Sequence, residues 1–115
     1  MAHDYPIVTY HIKVIEPYHY EDKKDWSNIT ETTLKGIKER VISIMFFDRE
    51  ISNNGMKIHI YEYVETETLL IKHYVTTATL IHTSIKWLPD IEQLLSPNYE
   101  VITVKENAIF NPENS

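Results

Sequence analysis

Glu50, His59 and Lys72 are the residues of this chain whose types admit chemistry together, once the strands that carry them are paired. A carboxylate beside an imidazole raises its pKa and fixes its tautomer, which is how a general base is prepared. Asp48 and Tyr61 fall one step along the same face, so a small hydrolase or nuclease built on His59 with Glu50 or Asp48 is the catalytic reading. The simpler reading comes first. Opposite charges facing each other across strands decorate wet sheet faces, each pair contributing about 0.2–1 kcal/mol. No Ser, Thr or Arg is forced close enough to complete a reaction scheme.

The same face gathers Tyr61, Tyr63, Tyr74 and His59, and Phe46 extends it without charge. Tyrosine offers an apolar ring with a polar tip and supplies contact area at low entropic cost, the character of protein interfaces. Stacking of single-stranded RNA on such a face is opposed by Asp48 and Glu50 upon it.

These faces depend on elements that must hold the residues in place. Ile7–Ile15 alternates Val8, Tyr10, Ile12 and Val14 against Thr9, His11 and Lys13, as a half-buried strand requires. Pro17 ends it, and Tyr18–Asp25 reads as a polar loop. Asn28 with Glu31 has the spacing of a capping box, predicting a helix over Ile29–Arg40. Val41–Glu50 then reads as a second strand, turned by Asn54-Gly55, the dipeptide that a type I′ hairpin prefers. Lys57–Val64 is the third strand. Glu65-Thr66 closes a second hairpin into Glu67–Thr76, with Tyr63 opposite Thr68, Tyr61 opposite Leu70 and His59 opposite Lys72.

In these registers the core face is Val41, Met45, Phe47, Ile51, Ile58, Ile60, Val64, Leu69 and Ile71. A one-residue slip would exchange the faces and bury His59 and Lys72, at several kcal/mol of desolvation. Thr77–Leu88 supports two periods: Ala78, Ile81, Ile85 and Leu88 have helical spacing, yet its β-branched residues also line one face of a strand. Helix is the preferred reading. Pro89-Asp90 opens a short helix, Ile91–Leu95, and Tyr99–Lys105 is a last strand, with Ile109 and Phe110 packing nearby.

The order β-α-β-β-β-α-β, with 16 Ile, 11 Thr and 8 Tyr against two Gly, predicts an α+β domain with a mostly antiparallel sheet and helices on one face. A ferredoxin-like sandwich with an added strand fits that order, and a mostly-β fold follows if Thr77–Leu88 is strand. One domain, residues 1–110, is expected, with a frayed tail over 111–115.

Composition excludes more than it proposes. Seventeen Asp+Glu against 11 Lys+Arg, a net charge of −6, repels nucleic acid and anionic lipid. With no Cys, thiolate metal sites and Cys nucleophiles are excluded. Gly stands only at 36 and 55, so neither a P-loop nor a dinucleotide fingerprint can be written, and no cofactor is expected. His11 and His19 lie close in sequence beside Glu16, Glu21 and Asp22, but no His pair has the spacing of a zinc helix, and no metal is expected. Neither a signal peptide nor an 18-residue apolar run is legible, so a cytoplasmic protein without a membrane span is expected. The reading is a small acidic binding module rather than an enzyme, such as an inhibitor, an immunity protein or a phage accessory factor. Its partner is a protein, of basic character on charge grounds, or a second copy of the chain; a small-ligand-binding domain is a further alternative.

Overall fold

The computed structural model describes residues 5–16, 26–95 and 99–104. The expected loop over 18–25, the packing of Ile109 and Phe110, and the tail over 111–115 lie outside these. The elements are β1 (Ile7–Glu16), a 3-10 turn (Trp26–Asn28), β2 (Thr30–Glu31), α1 (Leu34–Phe47), α2 (Arg49–Asn54), β3 (Met56–Glu65), β4 (Leu69–Ile81), β5 (Ser84–Leu88), α3 (Ile91–Leu95) and β6 (Tyr99–Val104). They make a six-stranded antiparallel sheet in the order β2-β1-β3-β4-β5, with β6 also paired to β4. The α+β class and its mostly antiparallel sheet are therefore as the sequence indicates. The strands β3, β4 and β5 follow one another as a meander.

The expected second strand, Val41–Glu50, is instead helical. Ile37, Val41 and Met45 recur every four residues, and all three are buried in α1 against the sheet. The helix starts later than the Asn28–Glu31 spacing suggested. Thr33, in extended conformation, caps it by accepting from the Gly36 N–H at 2.9 Å, while Glu31 pairs with Arg40 at 2.7 Å on the surface. Asp48 breaks the helix with an extended φ of −114°, and its Oδ1 accepts from the Ile51 N–H at the start of α2. Phe47, expected in the core, is 86% exposed.

Asn54-Gly55 consequently makes no hairpin. Gly55 follows the last residue of α2 with φ +86°, its N–H bonded to the Ile51 carbonyl at 2.9 Å, which is the glycine stop of a helix. A Cβ there would also stand 3.3 Å from the Leu80 carbonyl oxygen. The two-residue hairpin turn lies at His82-Thr83, where φ values of 52° and 61° join the paired residues Ile81 and Ser84. Thr77–Leu88 is therefore strand, the end of β4 and all of β5, and the preferred helical reading is overturned. Its runs of β-branched residues decide the matter: they lose χ1 freedom in a helix and pack well on a pleat.

The core lies between the two helices and one face of the sheet. Ile12 and Val14 from β1, Ile58 and Ile60 from β3, and Ala78 and Leu80 from β4 meet Ile37, Val41, Met45 and Ile51. Each buried branched side chain contributes about 1.5–3 kcal/mol. Trp87 of β5 extends this face, with the Lys38 ammonium 4.9 Å above its ring.

The His82-Thr83 turn puts positive φ on two side-chain-bearing residues, one of them β-branched, at a cost of about 1–2 kcal/mol each. Replacing them together by Asn-Gly should raise the urea midpoint, with a gain of at least about 1 kcal/mol. An unchanged or lowered midpoint would show that this turn carries no strain.

Candidate functional site

The face of the sheet away from α1 and α2 carries the residues singled out for chemistry. Along β3, His59 lies between Lys13 of β1 and Thr77 of β4, Tyr61 between His11 and Tyr74, and Tyr63 between Thr9 and Lys72. The β3–β4 pairing differs from the expected register because Thr66 builds a wider loop: its N–H bonds the Leu69 carbonyl at 2.8 Å and its hydroxyl accepts from the Thr68 and Leu69 N–H groups. The loop moves the register by four residues at Tyr61 and Tyr63. An even number keeps each residue on its assigned face.

A bulge then acts between Ile60, paired with Thr76, and Tyr61, paired with Tyr74. Val75 is the extra residue. Beyond it the alternation of β4 inverts, so Tyr74 and Thr77 both face the same side as Tyr61 and His59. The consequence is a continuous polar chain. The Thr77 hydroxyl lies 2.7 Å from the Tyr74 hydroxyl and 2.8 Å from His59 Nδ1. The backbone N–H of Asp90, just before α3, donates to the Tyr74 hydroxyl, and Asp90 Oδ2 stands 3.8 Å from His59 Nε2. The arrangement that uses every donor runs one way: Asp90 N–H to Tyr74, Tyr74 to Thr77, Thr77 to His59 Nδ1, leaving the imidazole proton on Nε2 toward the Asp90 carboxylate.

Around this chain three rings meet edge to face, His59 with Tyr74 at 5.3 Å, His59 with Tyr61 at 5.9 Å and Tyr61 with Tyr74 at 6.0 Å. The Lys72 ammonium sits 4.2 Å over the Tyr61 ring. His11 lies against Tyr63, 4.3 Å between centroids, and bonds the Thr9 hydroxyl. Burial, above all, pulls the His59 imidazole below its ordinary 6.5; Asp90 pulls it back up, and Lys57, Lys13 and Lys72 add to the lowering. Burial likewise lowers His11 and raises the Tyr61 phenol, with Tyr74, Tyr63, Glu100 and Asp90 acting in the same upward direction on Tyr61.

The expected row of Glu50, His59 and Lys72 is not assembled. Asp48 and Glu50 belong to the helical segment, the side chain of Glu50 lying outside the described residues, and Lys72 pairs with Tyr63, well along β3 from His59. The carboxylate that reaches His59 is Asp90, which the sequence reading used only to start a helix. No pattern of spacing pointed to it, because the segment after β5 crosses back over the sheet. Of the five residues expected to form an interaction face, His59, Tyr61 and Tyr74 are buried, at 4%, 9% and 5% exposure, and Tyr63 is half-buried. Phe46 is exposed but stands on α1. The set makes an interior joint, with the imidazole enclosed and both its nitrogens facing protein groups.

A second polar cluster lies on the opposite face, past the end of the core. Tyr10 donates to Glu62 at 2.6 Å and Glu62 reaches His73 Nδ1 at 3.4 Å. The bond to Glu62 pushes the Tyr10 phenol up to about 12. His73 is half-buried there. Among the described residues no three His, Asp or Glu are grouped to hold a metal, and His19, Glu21 and Asp22 lie outside them. Nor is any described helix long and apolar enough to cross a membrane. Comparison of the chain with protein-family models, with curated proteins and with solved structures found no match.

Two outcomes follow from the joint. Tyr74→Phe removes the acceptor of the Asp90 N–H and should cost about 1–3 kcal/mol in urea denaturation, with no loss of secondary structure by circular dichroism. Because the folded state binds the His59 proton less readily than the unfolded chain, the unfolded state gains protons as pH falls below 6.5. Stability should therefore drop as pH goes down from 6.5 toward the lower folded value. His59→Gln should flatten that decline; an equally steep one would assign it to other groups.

Proposed function

We propose that this chain is a protein-interaction module that docks its partner along the edge formed by β5, α3 and β6. One observation carries the reading. From Leu88 to Val104 the described residues include eight large apolar side chains that face solvent, among them Ile91 at 70% and Leu95 at 82% exposure. Single exposed apolar residues are ordinary, but a run of this length on one segment has the character of an interaction surface.

Register places the run along one border of the molecule. Leu88 pairs with Thr77 and Tyr99 with His73 on the same long strand, so α3 spans the short interval between β5 and β6. The buried joint gives the segment its rigidity: Asp90, held to Tyr74 and facing His59, begins α3. On this reading the Tyr-rich face supports the contact surface from beneath. The contact itself is made by Leu94, Leu95, Tyr99 and Val101.

An inhibitor or immunity-type role within this class is supported by the net charge of −6. A basic partner is less strongly supported, since Glu100, the one charged residue of β6, is matched across the strand by Lys72.

Affinity capture from cells that express the chain, read by mass spectrometry, tests the proposal. Proteins retained by the wild type should be lost with Leu94→Glu and with Val101→Lys and kept with Phe47→Lys, which alters an exposed apolar residue on α1. Equal recovery by all four proteins would reject the edge as the docking surface.

A further inference from the structure

We propose that β6 pairs with β6 of a second copy of this chain, antiparallel about a twofold axis, to join two sheets into one. This inference rests on the interaction reading and names the occupant of its surface. It begins with the backbone. β6 bonds to β4 on one side, and among the described strands nothing pairs with its other side. Such an edge presents unpaired N–H and C=O groups to any extended chain, and proteins usually blunt it with Lys, Pro or a very short strand. β6, Tyr-Glu-Val-Ile-Thr-Val, has neither Lys nor Pro and is exposed along its whole length, and a bulge at Ile102 is its one irregularity. The sheet's far side is treated differently. There β1 carries Lys13 and Glu16, and the two-residue β2 pairs with its middle. Among the described strands the far edge is charged and covered by β2 at its middle, so it does not match β6, and a twofold contact closes at two copies.

The side chains suit a copy of the same strand. A bulge at Ile102, where Ile71 pairs with Val101 and Leu70 with Thr103, sets Tyr99, Val101 and Val104 on one face of β6 and Glu100 and Thr103 on the other. A perpendicular twofold axis through Val101 opposes that residue to its own copy and keeps Glu100 from its counterpart. Lys72, across from Glu100 within the protomer, offsets that charge. The contact is thus apolar and locally neutral, and the net charge of −6 resides elsewhere.

The four exposed apolar side chains of β6 offer on the order of 80 Å² each, about 300 Å² together, and the four on β5 and α3 continue the same border, against a standard interface of about 800 Å² per partner, somewhat over half of it apolar.

Sedimentation of the full chain should give twice 13.6 kDa at micromolar concentration. Val101→Lys should raise the dimer dissociation constant at least tenfold, with an unchanged circular dichroism spectrum, and Phe47→Lys should leave it as it was. Because the chain has no Cys, single cysteines give a second measurement that tolerates a destabilised variant. Under mild oxidation Val101→Cys should cross-link to itself, and Val104→Cys should not, being several residues from its copy. A monomeric wild type overturns the pairing but leaves the interaction reading to the capture experiment. A dimer that survives Val101→Lys, or cross-linking equally strong at 101 and 104, also overturns it.

Discussion

The arrangement of this molecule depends on a local irregularity in its longest strand. β4 must serve two faces at once, giving Ala78 and Leu80 to the apolar core and Tyr74 and Thr77 to the polar joint behind it. A regular strand would send Tyr74 and Thr77, three residues apart, to opposite sides. The extra residue at Val75 removes that conflict. It also explains why the joint can be buried. A hydroxyl, a phenol and an imidazole desolvated without partners would cost several kcal/mol together, and the inversion aligns them so that each meets another or the backbone of Asp90.

The joint in turn holds the segment after β5 in place. Asp90 is tied to the sheet by its backbone N–H, and the same residue's side chain accepts from the Glu92 N–H at the first turn of α3. A five-residue helix has little stability of its own, since the few bonds it makes barely offset the cost of nucleating it. Its place comes from the contact at its start. Stability of the core and presentation of the β5–α3–β6 border are thereby linked through four side chains, His59, Thr77, Tyr74 and Asp90.

The legible and illegible parts of the sequence divide along the same line. Alternation located β6 within a residue or two although that strand is exposed throughout, and it located β1 and β3 equally well, since each of these pairs a buried or half-buried side with another of different character. The split of β3 into Ile58 and Ile60 against His59, Tyr61 and Tyr63 was legible for that reason. Residues 41–47 were misread because Val41 and Met45 satisfy both a period of two and a helical spacing; only Ile37, one turn earlier, distinguishes them. Asn54-Gly55 misled in a similar way. Positive φ at glycine serves a helix stop as well as a hairpin, while the real hairpin uses His82 and Thr83, for which no turn propensity speaks. Alternation also reports which residues share a face, and not whether that face is wet. His59 and its tyrosines are buried because a loop distant in sequence, carrying Asp90, returns across them.

The two sides of the sheet show how exposure and polarity part company. The residues that look made for solvent are enclosed, and β6, with its apolar, β-branched end, is open. Enclosure is tolerated for the first group because every member of the chain from Asp90 to His59 has a hydrogen-bond partner. No comparable compensation exists for β6: its outer backbone groups find partners in water, but water offers nothing to Val101, Ile102 and Val104. Removing those side chains from water on association releases free energy in proportion to the area covered, at about 25 cal/mol per Å² before the cost of immobilising two molecules. The opposite edge, with β2 against it and charges along it, lacks that incentive. Association at the β6 border is therefore the direction in which the physical asymmetry of this sheet acts.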